Sequence, residues 1–369
     1  MKRSAPVLGR FEYSTLLVGT LIGGSLYVWP LHLVMTAGRE STSAVLLAGT
    51  AGTLYMLLQA IAWSPDEHAS ILEWSLTLMA AILTLLIDAV ITALFVEMMK
   101  EFFFARTPRI ALVAPVLGLT AWWSTGSWKG VARRTQLWIP LILLGSLIAV
   151  GASFHNWVHP MALEPRTWTA LQPAMQGTVV LAYLLVPLGA TTRVVGRRLA
   201  ASARDRVRSA LAAAAIFWVW LMLLYTTTVG SLGTDAVVHL RWPLVYVFEE
   251  TTVDSSFLVS RLGILAIFGW TALVVIAILI HFKMAVTLAE DLTARWTTVR
   301  LVVVGLGLSV LVAGIFLFDT ENRATHLLLT DLNPVAMGLI ALEGLTALTR
   351  WAFRRLRNPP HPEVRDVET

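Results

Sequence analysis

The chain has 369 residues, of which 57% are hydrophobic and only 14% are charged, with 15 tryptophans and a formal net charge of +5. An ordinary globular chain is about 45–50% apolar and about 25% charged. This composition excludes a soluble globular protein and indicates an all-α integral membrane protein. Because the chain contains no cysteine, disulfide bonds, thioether-linked haem and thiolate metal sites are also excluded.

The apolar runs of the sequence predict ten membrane-spanning helices. A helix needs about 20 mostly apolar residues to cross a bilayer, and charged or Gly/Pro-rich breaks separate runs of this kind. The first run begins near Phe11 and is too long for a cleavable signal peptide. In chain order, the predicted spans are 12–35, 43–62, 75–99, 109–124, 136–154, 168–192, 210–231, 257–282, 299–318 and 334–350.

The distribution of lysine and arginine predicts that both chain ends are cytoplasmic. Most of the 28 basic residues fall in the segments that this orientation places inside, and the densest of these segments is the 193–208 loop. Such clusters face the anionic cytoplasmic leaflet, so the positive charge does not indicate nucleic-acid binding. The short, polar, proline-rich segment 358–369 predicts a disordered cytoplasmic tail, which leaves 1–357 as one transmembrane domain.

Ten spans divide into two halves, about 11–155 and 166–352, that we expect to form a 5+5 inverted repeat. In transporters of this design the first helix of each half is interrupted near the membrane midplane, where the substrate binds. Helices 1 and 6 should therefore be broken, and each break should expose backbone N–H groups that suit a carboxylate.

Span 1 carries a glycine pair near its middle. Gly23 and Gly24 weaken the helix there, and the hydroxyls of Thr20 and Ser25 flank them. A second interpretation is that Gly19 and Gly23, spaced as GxxxG, let a neighbouring helix approach closely. The inverted-repeat argument favours a break at Gly23 and Gly24.

Span 6 offers two candidate breaks, Gln176-Gly177-Thr178 and Pro187-Leu188-Gly189. The first lies near the middle of 168–192. The second lies near the cytoplasmic end, where proline kinks are often purely structural. The sequence thus predicts a break at 176–178.

Asp88 lies almost at the centre of span 3, on a small and polar stripe that recurs at helical spacing. A carboxylate at this depth normally faces the bundle interior. Three roles stay open: a ligand for a substrate amine, a proton carrier, or a hydrogen-bonded partner of a neighbouring helix. The predicted substrate-binding residues are Thr20, Gly23, Gly24, Ser25, Thr84, Asp88, Gln176, Gly177 and Thr178.

Other ionisable residues in the spans are expected at the interfaces. Glu97 and Glu343 are interpreted as lying towards the ends of spans 3 and 10. His281 and Lys283 are expected to reach the cytoplasmic interface.

No enzymatic chemistry is predicted. His155 and His159 stand four residues apart, but they have no adjacent carboxylate and predict no metal site. The sequence has no P-loop, dinucleotide fingerprint, HExxH or hydrolase elbow. We therefore expect no catalytic residue, no metal and no cofactor.

Several stretches resemble the B subunits of spore germinant receptors, the permease-like members of the amino acid/polyamine/organocation superfamily. The sharpest is span 1, with Phe11-Glu12-Tyr13, the run Val18 to Ser25, Trp29-Pro30, and Ala37-Gly38-Arg39-Glu40. The external loop 156–173, Arg241-Trp242-Pro243 followed by 257–270, and the ten-span length fit the same pattern. Family members tend to have Gly-Glu in span 6, where this chain has Gly177-Thr178 and so lacks a carboxylate.

The resemblance implies a leucine-transporter-type fold and a role in nutrient-triggered spore germination. It implies a small germinant such as an amino acid as ligand, and A- and C-type subunits as partners in the spore inner membrane. Two alternatives stay open: a proton- or ion-coupled amino-acid transporter of the same fold, and a structural subunit with a vestigial pocket.

Overall fold

The computed structural model describes residues 8–23, 29–62, 70–167, 170–199, 202–251, 262–292, 296–318 and 320–357. These residues form a helical bundle, and their only β-structure is an isolated bridge between Leu8 and Leu199. The segments 24–28 and 358–369 lie outside the described residues, so the predicted break at Gly24 and the predicted disordered tail stay predictions.

The helices of the first half cover spans 1 to 5 of the prediction. Serine N-caps begin α4 and α6, where the Ser70 and Ser127 hydroxyls accept backbone N–H groups of the first turn. The helices are α1 (Arg10–Gly23), α2 (Trp29–Ala37), α3 (Ser41–Ala62), α4 (Ile71–Phe102), α5 (Arg109–Ser124) and α6 (Trp128–Ser153).

The helices of the second half cover spans 6 to 10. Two short helices, α10 and α13, lie in the connections between longer ones. The helices are α7 (Leu171–Val180), α8 (Val186–Gly196), α9 (Ala203–Val237), α10 (Pro243–Glu250), α11 (Leu262–Leu292), α12 (Trp296–Leu317), α13 (Glu321–His326) and α14 (Asn333–Arg357).

Seven helical segments of the described chain are long and apolar enough to cross a membrane, and an eighth is added if α7 and α8 form one span. The 34-residue segment Trp29–Ala62, which joins α2 and α3, counts as one of the seven. Helix α5 is a shorter apolar helix, and α1 has only 14 residues. The structure thus shows a multi-pass helical protein, and the count of ten stays a prediction.

Helices α7 and α8 meet at an angle of 51°. The bend lies at Leu181, after which a 3₁₀ turn, Ala182–Leu185, leads into α8. The predicted position of this break was wrong, because residues 176–178 are helical within α7. Pro187 causes no break either, because it lies in the first turn of α8, where a missing N–H is tolerated.

Gly177 serves close packing instead of a break. A Cβ atom at this position would lie 2.7 Å from Ala44 Cβ and 3.0 Å from Ala37 Cβ. Helix α7 therefore packs closely against α2 and α3. The prediction that Gly177 interrupts the helix was wrong.

The helices on either side of 24–28 pack against the two arms of the α7–α8 bend. Helix α1 contacts α6, α8, α9 and α11, whereas α2 contacts α7 and α9. Each of the short helices that flank 24–28 therefore touches one arm of the α7–α8 bend.

The N-terminal segment and the 193–208 loop lie at the same end of the molecule. The Leu8 N–H donates to the Arg198 carbonyl at 3.0 Å, and the Arg10 guanidinium lies 3.7 Å from the Asp205 carboxylate. Arg198 also pairs with Asp291 at the end of α11, at 3.4 Å. The arrangement groups the segments that the charge distribution assigns to the cytoplasm.

Candidate ligand-binding site

The residues predicted in span 1 lie at the end of α1. Thr20 is fully buried, and its hydroxyl donates to the Leu16 carbonyl of its own helix at 3.0 Å. Gly23 is the last residue of α1, and Gly24 and Ser25 fall outside the described residues. Thr20 and Gly23 therefore both lie in the last described turn of α1.

Gly19 and Gly23 form a contact surface for α11. A Cβ atom at Gly23 would collide with Ala277 Cβ and lie 3.2 Å from the Leu273 carbonyl oxygen. A Cβ atom at Gly19 would lie 2.8 Å from Ile280 Cδ1. The GxxxG interpretation is thus confirmed as a close contact between α1 and α11.

The span-6 residues divide between the surface and the interior. Gln176 is exposed, Gly177 is buried against α2 and α3, and Thr178 is half-buried. The Thr178 hydroxyl donates to the Ala174 carbonyl at 2.8 Å, and the Ala44 carbonyl oxygen of α3 lies 3.2 Å away. Thr178 lines a cavity of about 130 Å³ at the bend, whereas Gln176 does not.

Asp88 faces the bundle interior, as the polar stripe predicts. Only 1% of its surface is exposed, and Thr84 and Thr92 on the same stripe are fully buried. Both threonine hydroxyls donate to carbonyls of their own helix, Thr84 to Ala80 at 2.6 Å and Thr92 to Asp88 at 2.7 Å. Their hydrogen-bonding capacity is thus used within α4.

The partner of Asp88 is His281 of α11. The two Asp88 carboxylate oxygens lie 2.9 and 3.0 Å from His281 Nδ1. His281 Nε2 is enclosed and has no hydrogen-bond partner among the described residues. The expectation that His281 and Lys283 lie at the interface was wrong: both are buried, because α11 continues to Leu292, beyond the predicted end of span 8.

The predicted position of Glu343 near the end of span 10 was also wrong. It lies near the middle of α14, which runs to Arg357 rather than ending at 350, and only 1% of its surface is exposed. Its carboxylate forms an ion pair with Arg193 of α8 and accepts the Tyr55 hydroxyl of α3. Arg193 Nε donates to the Gly189 carbonyl at 3.1 Å.

This cluster of Arg193, Glu343 and Tyr55 joins α8, α14 and α3, and sequence reasoning missed it. Arg193 was counted only as the first member of a basic run. A buried arginine requires a carboxylate partner, and Glu343 was the span-10 carboxylate available for that role. Glu97, by contrast, stays partly exposed and pairs with Arg109 at 2.8 Å.

A further cavity of about 360 Å³ lies between α5, α6, α9, α10 and α11, with apolar walls that include Trp123, Trp138 and Phe248. None of the predicted binding residues lines it. Of the predicted residues, Thr20 and Gly23 lie at the end of α1, and Thr178 lies at the bend. Thr84 and Asp88 of α4 face the interior of the bundle.

The arrangement of helices is that of a leucine-transporter-type membrane protein. MhsT, solved in complex with L-phenylalanine, resembles the chain with a TM-score of 0.62 and 14% identity over 94% of this chain and 95% of MhsT. A mutant of the Eremococcus coleocola manganese transporter aligns with a TM-score of 0.50 and 12% identity, over 93% and 78% of the two chains. Identities this low show the fold alone.

The amino-acid sequence identifies the family to which this chain belongs. The model of the family described as "Spore germination protein" (Spore_permease) matches residues 8–320. The chain belongs to this family of spore germination permeases, which confirms the resemblance drawn from span 1. No curated protein sequence matches the chain.

Proposed function

We propose that this chain is the ligand-binding membrane subunit of a nutrient germinant receptor. The family match over 8–320 carries the proposal. The fold adds support, because MhsT has the same architecture and was solved with an amino acid bound. On this proposal the chain binds a small nutrient, an amino acid, and signals germination together with A- and C-type subunits in the spore inner membrane.

The proposed binding site lies between the end of α1 and the α7–α8 bend. Support comes from the contacts of α1 with α8 and of α2 with α7, because α1 and α2 flank 24–28 and α7 and α8 flank the bend. The proposed residues are the nine predicted from the sequence: Thr20, Gly23, Gly24, Ser25, Thr84, Asp88, Gln176, Gly177 and Thr178.

The proposed orientation has both chain ends in the cytoplasm. It is supported by the contact of Leu8 with Arg198 and by the ion pair of Arg10 with Asp205. These contacts place the N-terminal segment beside the basic 193–208 loop. Both segments are therefore assigned to the same side of the membrane, and their positive charge favours the cytoplasmic side.

Germination and transport can be separated in one experiment. Spores that carry the wild-type chain or Thr178→Val are exposed to a mixture of the L-amino acids, and the same chains are reconstituted in vesicles for uptake of that mixture in radiolabelled form. Thr178→Val keeps the shape of the side chain but removes its hydroxyl. We expect a germination response that needs up to about tenfold more nutrient, without net uptake by the wild-type chain.

The matched control is Thr226→Val. Thr226 of α9 is also half-buried, and its hydroxyl also donates to the i−4 carbonyl at 2.8 Å. This variant should respond as wild type does. Concentrative uptake by the wild-type chain would favour the amino-acid transporter instead, and an unchanged response of Thr178→Val would remove the bend from the site.

A further inference from the structure

A third cavity, which has a more polar lining than the other two, lies at the end of the bundle opposite the 193–208 loop. We call it the outer cavity: it has a volume of about 760 Å³ and lies between the α2–α3 turn (38–40), the segment 159–166 and the C-terminal part of α9. This volume falls within the roughly 300–1,000 Å³ of small-molecule sites. None of the nine predicted binding residues lines it.

The walls of the outer cavity contain the two residues with positive φ in the described chain. Gly38 has φ 55° in the α2–α3 turn, and Gly233 has φ 73° at a kink inside α9. A Cβ atom at Gly233 would lie 3.2 Å from the His159 ring. Both turns depend on glycine, and the second one allows 159–166 to lie close against α9.

The charged side chains of the outer cavity are of both signs. Arg39 is held in place because its Nη2 donates to the Met161 carbonyl at 3.1 Å. Arg166 and Asp235 also line the cavity and are exposed. A cavity that offers guanidinium and carboxylate groups together matches a small molecule that carries both charges.

Glu40 supplies the observation that points to a ligand. It lines the cavity, yet only 7% of its surface is exposed. Its Oε1 accepts the Thr167 N–H at 3.3 Å, while Oε2 is enclosed and has no hydrogen-bond partner within the described ranges. Leaving a buried carboxylate oxygen without a donor is unfavourable, so the site calls for a donor from outside the chain.

We propose that the outer cavity is a second binding site, specific for a small zwitterion of the amino-acid class. The Glu40 carboxylate accepts the ligand ammonium group, and the guanidinium groups of Arg39 and Arg166 bind the ligand carboxylate. This inference does not use the midplane site, and it adds an external site where the nutrient first meets the protein.

The chain contains no cysteine, so a single introduced one reports on the cavity directly. Thr234→Cys places a thiol on the cavity wall, and His239→Cys places one at an exposed position just after α9 that is not part of the lining. The full-length chain in vesicles is treated with a membrane-impermeant thiol reagent, with and without a mixture of the L-amino acids. We expect the mixture to slow labelling of Thr234→Cys severalfold and to leave His239→Cys unchanged.

Substitutions and ligand analogues then test the recognition. Glu40→Gln in the Thr234→Cys chain should raise the amino-acid concentration needed for protection about tenfold or more, and Arg166→Gln should raise it as well. Glu250→Gln, an exposed glutamate of α10, is the matched control and should have no effect. N-acetylated amino acids lack the ammonium group and should not protect.

Two results would overturn the inference. One is equal protection in the Glu40→Gln and wild-type backgrounds, and the other is equal protection by N-acetylated amino acids. Because Arg166 is exposed, Arg166→Gln keeps the test valid if Glu40→Gln fails to fold. The assay needs neither germination nor transport, so its failure would leave the proposed function standing.

Discussion

Two buried side-chain pairs in the bundle differ in the chemistry of their partners. The Arg193–Glu343 pair joins α8 to α14 and is supported by the Tyr55 hydroxyl. The Asp88–His281 pair joins α4 to α11, and neither side chain has a further side-chain partner in the described residues. Both pairs are almost completely enclosed, with side-chain exposures of 3% or less.

The two pairs differ in which of their side chains can bind or release a proton. An arginine guanidinium does not lose its proton in proteins, so Glu343 must stay ionised or leave a buried charge without compensation. In the second pair a proton can reside on the carboxylate or on the imidazole, and the geometry permits both arrangements. The first pair is therefore limited to one charge arrangement, whereas both partners of the second are side chains that can bind a proton.

The largest effect on stability is expected for Glu343→Gln. The substitution keeps the shape of the side chain but leaves Arg193 charged, buried and unpaired, which typically lowers the free energy of unfolding by about 3–5 kcal/mol. Denaturant unfolding of the full chain in detergent measures this loss.

The double variant Arg193→Gln with Glu343→Gln gives the control for this prediction. It removes both charges, so we expect part of the stability to return even though more of the cluster is lost. If the double variant is as unstable as the sum of the two single ones, the pair does not hold α8 to α14. The rescue also remains measurable where Glu343→Gln accumulates poorly.

A smaller loss is expected for Asp88→Leu. The substitution leaves His281 Nδ1 without a partner, but a neutral imidazole leaves no unpaired charge, so about 1–3 kcal/mol is expected. Thr92→Val, which removes only a hydrogen bond within α4, should lower stability less. A loss for Asp88→Leu equal to that of Glu343→Gln would show that both pairs carry permanent charge, and would end the distinction between them.

The sequence predicted the helices well because the signals are local. The span predicted at 109–124 coincides with α5, and the mid-helix position of Asp88 correctly predicted an inward-facing side chain. The partners of the buried charges were not predicted, because His281 and Arg193 lie far along the chain from Asp88 and Glu343. Their depth was also misjudged, since α11 and α14 both run past the predicted span ends.

A glycine also caused a wrong prediction, because a glycine can either weaken a helix or allow two helices to pack closely. Gly177 was interpreted as a break in span 6, yet it lies within α7 and permits contact with Ala44 and Ala37. The observed bend at Leu181 has no glycine or proline at the bend itself. The side chain of Asn333 in α14 bonds to the backbone on both sides of the bend: its Oδ1 accepts the Tyr183 N–H at 3.0 Å, and its Nδ2 donates to the Val179 carbonyl at 2.5 Å. A contact of this kind is not visible in a local sequence window.

The smallest effect on stability, and the sharpest test of the comparison, is expected for Asp88→Asn. Asparagine keeps the shape of the side chain and a hydrogen bond to His281, so the free energy of unfolding should fall by no more than about 1 kcal/mol. The amide cannot take up a proton, however, so only His281 of the pair can then bind one. If the pair exchanges a proton during the response, the germination response measured from about pH 5 to about pH 9 should change its pH dependence. His281→Gln should change the profile in the same way, because it removes the other proton acceptor, whereas Thr92→Val should keep the wild-type profile. A profile of Asp88→Asn that superimposes on wild type would assign Asp88 a purely structural role, and the Asp88–His281 pair would then resemble the Arg193–Glu343 pair in function as well as in burial.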